Sequence, residues 1–311
     1  MNTDLSPEAV EYGATALRAL EAAGGDDLAP AGPGERDGGD AVVKVLTDLG
    51  AWDLDPRGST EELEAAAALC RSAGRRAVPH PVAERVARPR DVDADALVVV
   101  AGGGAGAIAA AVAGLALRWV AVDLAGRRSR ATPRPDAHPV GKPGVAVPLD
   151  LAPLDGAGAG DVALGLVLPC WTLLGLLDRA VDLTSDHVRA RHQFGQPLSS
   201  FQGVQFQLTD AEVERVGVEE LAKHALWSLA TGRPDAVADA LALRLAAVEA
   251  AEVVFRITHQ LHGAIGFCDE TALSWISRAS QPLRRLPFGP SATRAALTDH
   301  LGRRGLSGLF S

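Results

Sequence analysis

The C-terminal half of the sequence reads as a series of long helices, and this feature constrains the fold more than any other. Helical periodicity predicts helices at about 161–188, 199–230, 235–261, 269–281 and 291–303. The first of these stretches is apolar on several faces, as a helix at the centre of a bundle would be. Because the connections between the helices are short, the pattern predicts an antiparallel helix bundle.

The part of the chain before residue 160 is expected to contain a few helices followed by a small region of strands. Helices are expected at 5–23, about 41–50 and 60–76, with Ser6 as N-cap and Pro7 in the first turn of the first helix. Strand-like runs follow at 97–101, 119–124 and 145–149, before a Pro/Gly-rich stretch at 150–160 that reads as a linker. The overall expectation is a mainly α protein with three parts: a reduced helical domain at 1–90, a small β-containing domain at 91–155 and a helix bundle at 160–311.

Composition excludes several classes of function. The net charge of −9 argues against nucleic acid as a partner, since binding it requires a basic surface. The three cysteines are far apart and none has metal-ligand spacing, so we expect free, mostly buried thiols and no metal site. The acidic N-terminus lacks the order of a signal peptide, and the apolar stretch 96–122 is rich in glycine, so we expect a cytoplasmic protein without a membrane span.

A glycine-rich segment in the middle region resembles a dinucleotide fingerprint. Gly102, Gly104 and Ala107 fit G-x-G-x-x-[GA], and Asp123 stands near the place of a ribose-binding acid. However, neither flank supplies the further βα units that such a domain needs. The favoured interpretation is a Gly/Ala-rich connection between two strands, with dinucleotide binding by residues 96–123 as the alternative, and the role of 102–106 stays open.

Two motifs on the predicted bundle carry more information. Residues 191–202, RHQFGQPLSSFQ, match R-x-x-F-G-x-P-[LI]-x-x-F-Q. Residues 260–267, QLHGAIGF, match Q-x-x-G-G-x-G-[YF] except for Ala264. Both patterns, in this order and separated by two helices, resemble those of the acyl-CoA dehydrogenase family. The resemblance is close over 160–311 and loose over 1–150.

The resemblance implies FAD as cofactor. In that family the arginine of the first motif reaches the flavin cofactor of a neighbouring subunit, and a guanidinium fork suits a pyrophosphate. The implied cofactor-binding residues are Arg191, Phe194, Gln202, Gln260 and Gly263. Phe194 would pack against the cofactor, the two glutamines would hydrogen-bond it, and Gly263 would let the backbone approach closely.

The family's catalytic base is missing at both places where it occurs. The family reaction needs a carboxylate that removes the proton alpha to the thioester. The two corresponding positions hold Gly165 and Pro287, neither of which accepts a proton. The strings of the middle domain that line the flavin ring are also missing. Asp178, Asp182 and Asp186 follow one helix face, which we interpret as a solvated surface, so no catalytic residue is assigned to this chain.

One subunit arrangement explains why the two motifs are present while the catalytic base is missing. Some bacterial members of the family are α2β2 heterotetramers in which a degenerate subunit completes the FAD site of its catalytic partner. The resemblance therefore implies an acyl-CoA dehydrogenase complex that shares FAD between subunits, possibly acting on sterol side chains as CoA thioesters, with an inactive isolated chain. The acyl-CoA substrate would be bound mainly by the partner.

Two further alternatives stay open. One is a flavin-free CoA-thioester lyase or hydratase on the same fold, which would use a histidine among His187, His192, His259 and His262. The other is a purely structural partner subunit that contacts no cofactor.

Overall fold

The computed structural model describes residues 2–24, 37–102, 109–112, 117–134 and 146–304. Within these ranges the chain begins with four helices, α1 (Pro7–Ala22), α2 (Asp37–Asp48), α3 (Thr60–Arg75) and α4 (Val82–Val86). Ser6 caps α1 as expected, because its hydroxyl accepts a hydrogen bond from the Ala9 amide. The five-residue helix α4 was not expected from the sequence.

A small mixed sheet follows the first four helices. Its strands are β1 (Ala96–Val100), β2 (Ala109–Ala110), β3 (Trp119–Asp123), β4 (Arg127–Pro133) and β5 (Val147–Ala157). The order across the sheet is β1-β3-β4-β5-β2, and β1 and β3 are parallel while the other neighbours are antiparallel. This topology differs from the parallel sheet of a dinucleotide-binding domain.

The two parallel strands, β1 and β3, are buried on both faces, which explains why they read as continuous apolar runs. In β1, Leu97 and Val99 face the main helical core, whereas Val98 and Val100 face a second, smaller core. Trp119 of β3 belongs to this smaller core. The sheet is therefore held between the helices on one side and a core of its own on the other.

The remaining helices form the bundle. They are α5 (Ala159–Ala190), α6 (Gln202–Ala230), α7 (Ala236–His262), α8 (Ala272–Arg285) and α9 (Pro290–Arg304). The central helix is α5, which contacts α3, α6, α7 and α8 and buries Trp171 completely. It is the one helix in the described part of the chain that is long and apolar enough to cross a membrane, and most of its apolar stretch is buried inside the molecule.

Two buried carboxylates on α5 connect the bundle to the N-terminal helices and to the sheet. Asp161, in the first turn of α5, accepts hydrogen bonds from Arg57 at 2.5 Å and from Arg128 of β4 at 2.7 Å. Asp178, further along α5, is bound by Arg71 of α3 at 2.7 Å and by Arg215 of α6 at 3.0 Å. Buried carboxylates require such partners. The prediction of a solvated acidic face is therefore wrong for Asp178.

The sequence-based assignments need two other corrections. The stretch 150–160 is not a linker, because β5 continues to Ala157 and α5 begins at Ala159. Pro282 does not end its helix, since α8 runs on to Arg285. Cys70 and Cys170 are buried free thiols, as expected, while Cys268 is exposed. The general fold class is confirmed, and the domain boundaries at 90, 155 and 160 stay a prediction.

Candidate functional site

The first motif forms a tight hairpin at the end of the central helix. Arg191 is the C-cap of α5 and turns to extended backbone. Two short strands follow, β6 (His192–Gln193) and β7 (Gln196–Pro197), and the Leu198 amide donates to the Arg191 carbonyl at 2.8 Å. The motif therefore folds back on itself and presents its turn to solvent.

Phe194 occupies the tip of this hairpin in a costly conformation. Its φ of 54° and the φ of 81° at Gly195 indicate a type I′ turn. A bulky residue at positive φ costs on the order of 1–3 kcal/mol and persists where the position serves a function. The Phe194 side chain is 91% exposed and has an edge-to-face contact with Phe201, whose ring centroid lies 6.2 Å away. Such a residue is available to contact a ligand or another subunit.

The Arg191 guanidinium is free to bind an anion. The side chain is exposed and forms no hydrogen bond or ion pair with the other residues that the structure describes. Its neighbour Arg189, by contrast, pairs with Asp186 at 3.4 Å. The positive charge of Arg191 contributes to a lowered pKa of His187, one helical turn earlier, although burial is the larger cause.

The second motif lies at the end of α7. Gly263 follows the last helical residue, His262, with a φ of 67°, and a Cβ added there would meet nothing within 4 Å. The positive φ explains the glycine, and the open space allows another molecule to approach the backbone. Gln260 in the last helical turn and Gln202 at the start of α6 are both exposed.

A contact between two histidines brings the motifs to the same end of the bundle. His187 lies one turn before Arg191, and His262 directly precedes Gly263. Their rings stack with centroids 4.3 Å apart and an interplanar angle of 18°. The residue types of the two motifs, a free guanidinium, two exposed amides and an open glycine, suit a phosphate-bearing cofactor such as FAD.

At the two positions of the missing base, neighbouring residues occupy the space beside Gly165 and fix the backbone around Pro287. A Cβ added at Gly165 would lie 2.7 Å from Val99 Cγ2 and 3.4 Å from Leu97 Cδ2, so β1 takes the space of a longer side chain. Pro287 lies in a segment whose backbone is hydrogen-bonded to the buried Arg244 of α7. The Arg244 guanidinium donates to the carbonyls of Leu283, Leu286 and Phe288 at 3.1, 2.5 and 2.8 Å.

The other histidines named for a lyase or hydratase have local partners. His192 is exposed and contacts the Ala190 carbonyl at 3.1 Å, and His259 stacks on Phe267 with centroids 4.4 Å apart. His262 contacts the Thr258 carbonyl, one helical turn earlier, at 2.9 Å. Among the described residues, no carboxylate forms an ion pair with these three rings, so none has the orienting acid of a catalytic dyad.

The glycine-rich segment falls largely outside the described residues, which include Gly102 but neither Gly104 nor Ala107. Asp123 is described, and its carboxylate is engaged locally. It accepts hydrogen bonds from the amides of Ala125 and Arg127 at 2.9 and 3.0 Å and from the Arg127 side chain at 2.7 Å. In this structure the carboxylate therefore closes the β3–β4 turn.

Sequence reasoning named His187 and His262 as candidates but missed their stacking, and it missed the contacts of Arg244. The His187–His262 stack joins residues on different helices, and the spacing of His187 and Arg191 on one helix face was the available signal. The contact of Arg244 with three carbonyls has no sequence signal, because it depends on a tertiary approach of α7 to the segment after α8.

Part of the chain is similar in sequence to known acyl-CoA dehydrogenases and to a related reductase. Residues 167–297 match the acyl-CoA dehydrogenase (ACAD) C-terminal domain. The chain is 35% identical over 117 residues to acyl-CoA dehydrogenase FadE28 of Mycobacterium tuberculosis, a match covering 38% of this chain and 34% of the relative. It is 28% identical over 144 residues to acryloyl-CoA reductase (NADH) of Anaerotignum propionicum, covering 46% of this chain and 34% of the relative. The matches thus span about a third of these relatives' own length.

Solved structures match almost the whole chain. The ChsE4-ChsE5 complex from Mycobacterium tuberculosis contains a chain with a TM-score of 0.74 and 18% identity, over 98% of this chain and all of that one. A variant of the Tcur3481-Tcur3483 steroid ACAD gives a TM-score of 0.71 and 19% identity, over 96% and 99% of the two chains. The helix bundle of this protein thus matches the acyl-CoA dehydrogenase C-terminal domain over residues 167–297, and the chain has the acyl-CoA dehydrogenase fold.

Proposed function

We propose that this chain is the subunit without a catalytic base in a hetero-oligomeric, FAD-dependent acyl-CoA dehydrogenase, and that it completes the partner's FAD site in trans. One observation carries the proposal: the motif residues Arg191 and Gly263 are open to solvent, while the base positions Gly165 and Pro287 lack a proton acceptor. The chain retains what reaches a cofactor and has lost what performs the chemistry.

The residues of this chain would bind and orient the cofactor. Arg191 would pair with the pyrophosphate of FAD, Phe194 would cover it, and Gln202 and Gln260 would donate or accept hydrogen bonds at its polar edges. Gly263 would let the α7 backbone approach it. FAD, when bound, accepts the hydride from the beta carbon of the acyl-CoA thioester. The alpha proton goes to a carboxylate of the partner subunit, which this chain does not supply.

Exposed apolar residues near the motifs support a protein partner. On α6, Phe206 and Val213 are 60% and 63% exposed and lie two helical turns apart on one face. Phe267, beside the second motif, is 68% exposed. Large apolar side chains grouped on a surface indicate an interface. Two of the matching structures are named as complexes or pairs of proteins, in agreement with such a partner.

The proposed substrate is a CoA thioester that is bound mainly by the partner. More specifically, we propose that its acyl group is a steroid side chain. Support for the steroid class comes from the structural match to a steroid ACAD. The described residues around Gly165 leave no space for an acyl chain on this side of α5, because Val99 and Leu97 occupy it.

The test is the flavin content of this chain, purified alone and together with the product of a neighbouring dehydrogenase gene. We expect a colourless lone chain and a yellow co-complex that loses flavin in an Arg191→Ala variant. Arg189→Ala is the matched control, since Arg189 is an equally exposed arginine in the same helical turn but pairs with Asp186. Unchanged flavin content in Arg191→Ala would favour a purely structural subunit.

A flavin-free lyase or hydratase stays the alternative function. It requires a histidine that acts on a CoA thioester, and His262 is its best placed candidate because it lies inside the second motif. Turnover of a CoA thioester without flavin, lost in His262→Ala, would replace the proposal by this alternative.

A further inference from the structure

The stacked histidines differ from His224 of α6 in having no carboxylate partner among the described residues. His224 lies 3.6 Å from the Asp239 carboxylate. His187 and His262 face each other instead, and the charged or titratable groups that act on them are Arg191 on α5 and His259 on α7. No ion pair joins either ring to a carboxylate within the described ranges of the chain.

Geometry favours two neutral rings. The contact of His262 Nδ1 with the Thr258 carbonyl at 2.9 Å requires a proton on Nδ1 and leaves Nε2 unprotonated in the neutral ring. Two imidazolium ions with centroids 4.3 Å apart would repel each other, and Arg191 adds a further positive charge. Burial is the largest cause of a lowered pKa at both His187 and His262.

The stack also joins the two helix ends that carry the motifs. His187 and Arg191 lie on the same face of α5, and the Arg191 amide donates to the His187 carbonyl at 2.8 Å. His262 is the last residue of α7 and Gly263 follows it directly, so contacts that fix the backbone of His262 also restrict the position of Gly263. Close contact limits such movement, because a Cβ added at Gly266 would lie 2.8 Å from His262 Cβ.

Building on the proposed function, we propose that His187 and His262 are positioning residues for FAD: as uncharged, stacked rings they align the ends of α5 and α7, so that Arg191 and Gly263 bind the same cofactor molecule. Neither ring is assigned a contact with the reacting atoms. The charge of the pair then controls how firmly the assembled site retains its flavin.

The direction of the pH effect follows from the lowered pKa values. A free imidazole titrates near pH 6.5, and the stacked rings take up protons only at lower pH. The aligned state thus binds fewer protons than a separated pair, so its stability is present above about pH 6.5 and is lost as the pH falls below that value. Flavin retention should decline over the same range.

The experiment measures flavin retained by the co-complex after gel filtration at pH values from about 7.5 to about 5. For the wild type we expect a loss of at least about fivefold over this range. In the double variant His187→Phe/His262→Phe, stacking survives without titration, and we expect nearly constant flavin content. His187→Ala removes the stack and should lower flavin content even at the upper pH.

Controls separate this inference from the proposed function. His224→Phe removes a titratable ring elsewhere in the bundle and should leave the wild-type pH profile unchanged. Arg191→Ala should lose flavin at every pH if the proposed function holds, whatever the histidines do. If the double variant does not assemble, the single variant His187→Phe keeps the test, because His262 is then the one ring of the stack that can take up a proton and the decline of flavin content should be smaller than in the wild type.

A wild-type pH profile in the assembled double or single Phe variant would overturn the positioning role. An equal change of the profile in His224→Phe would overturn it as well, because the effect would then belong to histidines in general.

Discussion

The two ends of the central helix α5 differ in how far their side chains are exposed to solvent. At its C-terminal end, Arg191 and the hairpin tip at Phe194 are exposed and have few partners among the described residues, and Phe194 has a strained backbone. Near its N-terminal end, Gly165 packs against β1 and Asp161 is buried between two arginines. The C-terminal end is the surface to which we assign cofactor binding in our proposal, while the N-terminal end is part of the core.

The surroundings of the two base positions support our proposal that this chain carries no catalytic base. An active-site position that merely lost its carboxylate would leave a cavity or a polar pocket behind. Here Val99 and Leu97 fill the space beside Gly165, and Arg244 fixes the segment that contains Pro287.

Restoring a carboxylate at the first base position should destabilise the protein without creating activity. In Gly165→Glu the new side chain meets Val99, so the core is overpacked and a charge is buried. We expect a loss of about 3 kcal/mol or more in the free energy of unfolding. Urea unfolding measures it. Gly160→Glu, on the same helix but with nothing within 4 Å of an added Cβ, is the control that should be nearly neutral. Full stability with acyl-CoA oxidation in Gly165→Glu would contradict a filled site.

Removal of the Arg244 side chain should destabilise the second closed position. Arg244→Leu leaves three carbonyls without their donor, and we expect a cost of about 2–3 kcal/mol. The same replacement at the exposed Arg256 on α7 should change stability by less than about 0.5 kcal/mol. Thermal unfolding of both variants decides the point. Equal stability of the two variants would show that Arg244 does not hold the segment.

At the open end, Arg191→Ala should weaken cofactor binding and leave folding unchanged. Loss of a charge-assisted contact to pyrophosphate corresponds to about 2 kcal/mol, or roughly thirtyfold in FAD affinity of the co-complex. Stability of the isolated chain should stay within about 0.5 kcal/mol, because the side chain has no partner there. Flavin titration and unfolding curves measure the two quantities. A stability loss without a change in affinity would assign Arg191 to the fold.

The hairpin tip should show the smallest effect, with opposite signs for stability and binding. Phe194→Gly relieves the positive φ and should stabilise the chain by about 1 kcal/mol or less, while FAD retention falls. Gly195→Ala, at a φ of 81°, should have the reverse effect on stability, a loss of about 1 kcal/mol. Destabilisation by Phe194→Gly would mean that the ring contributes more to the fold through Phe201 than its strain costs.

Sequence reasoning reached the bundle and the motifs but not the contacts between distant residues. The periodicity of α5, α6 and α7 and the cap of α1 by Ser6 are local properties, so they were predicted within a few residues. The burial of Asp178 depends on Arg71 of another helix, and nothing near Asp178 signals it. Strand β4 and the outer half of β5 were missed because prolines and exposed arginines hide their alternation, while pairing in the sheet decides their conformation.

The candidate site was predicted as a set of residues but not as an arrangement. The motifs gave Arg191, Phe194, Gln202, Gln260 and Gly263, and their roles toward FAD stay a prediction. The strain at Phe194 and the contact that brings the ends of α5 and α7 together appear only in three dimensions. The filled space at Gly165 likewise depends on the approach of β1 to α5.

The flavin content of the chain alone and in complex with its candidate catalytic partner tests the central claim most directly. The account predicts a colourless chain, and a yellow complex whose flavin is lost in Arg191→Ala and kept in Arg189→Ala. A lone chain that binds stoichiometric FAD and oxidises acyl-CoA unaided would contradict it, and a catalytic base would then have to be sought among the carboxylates of this chain.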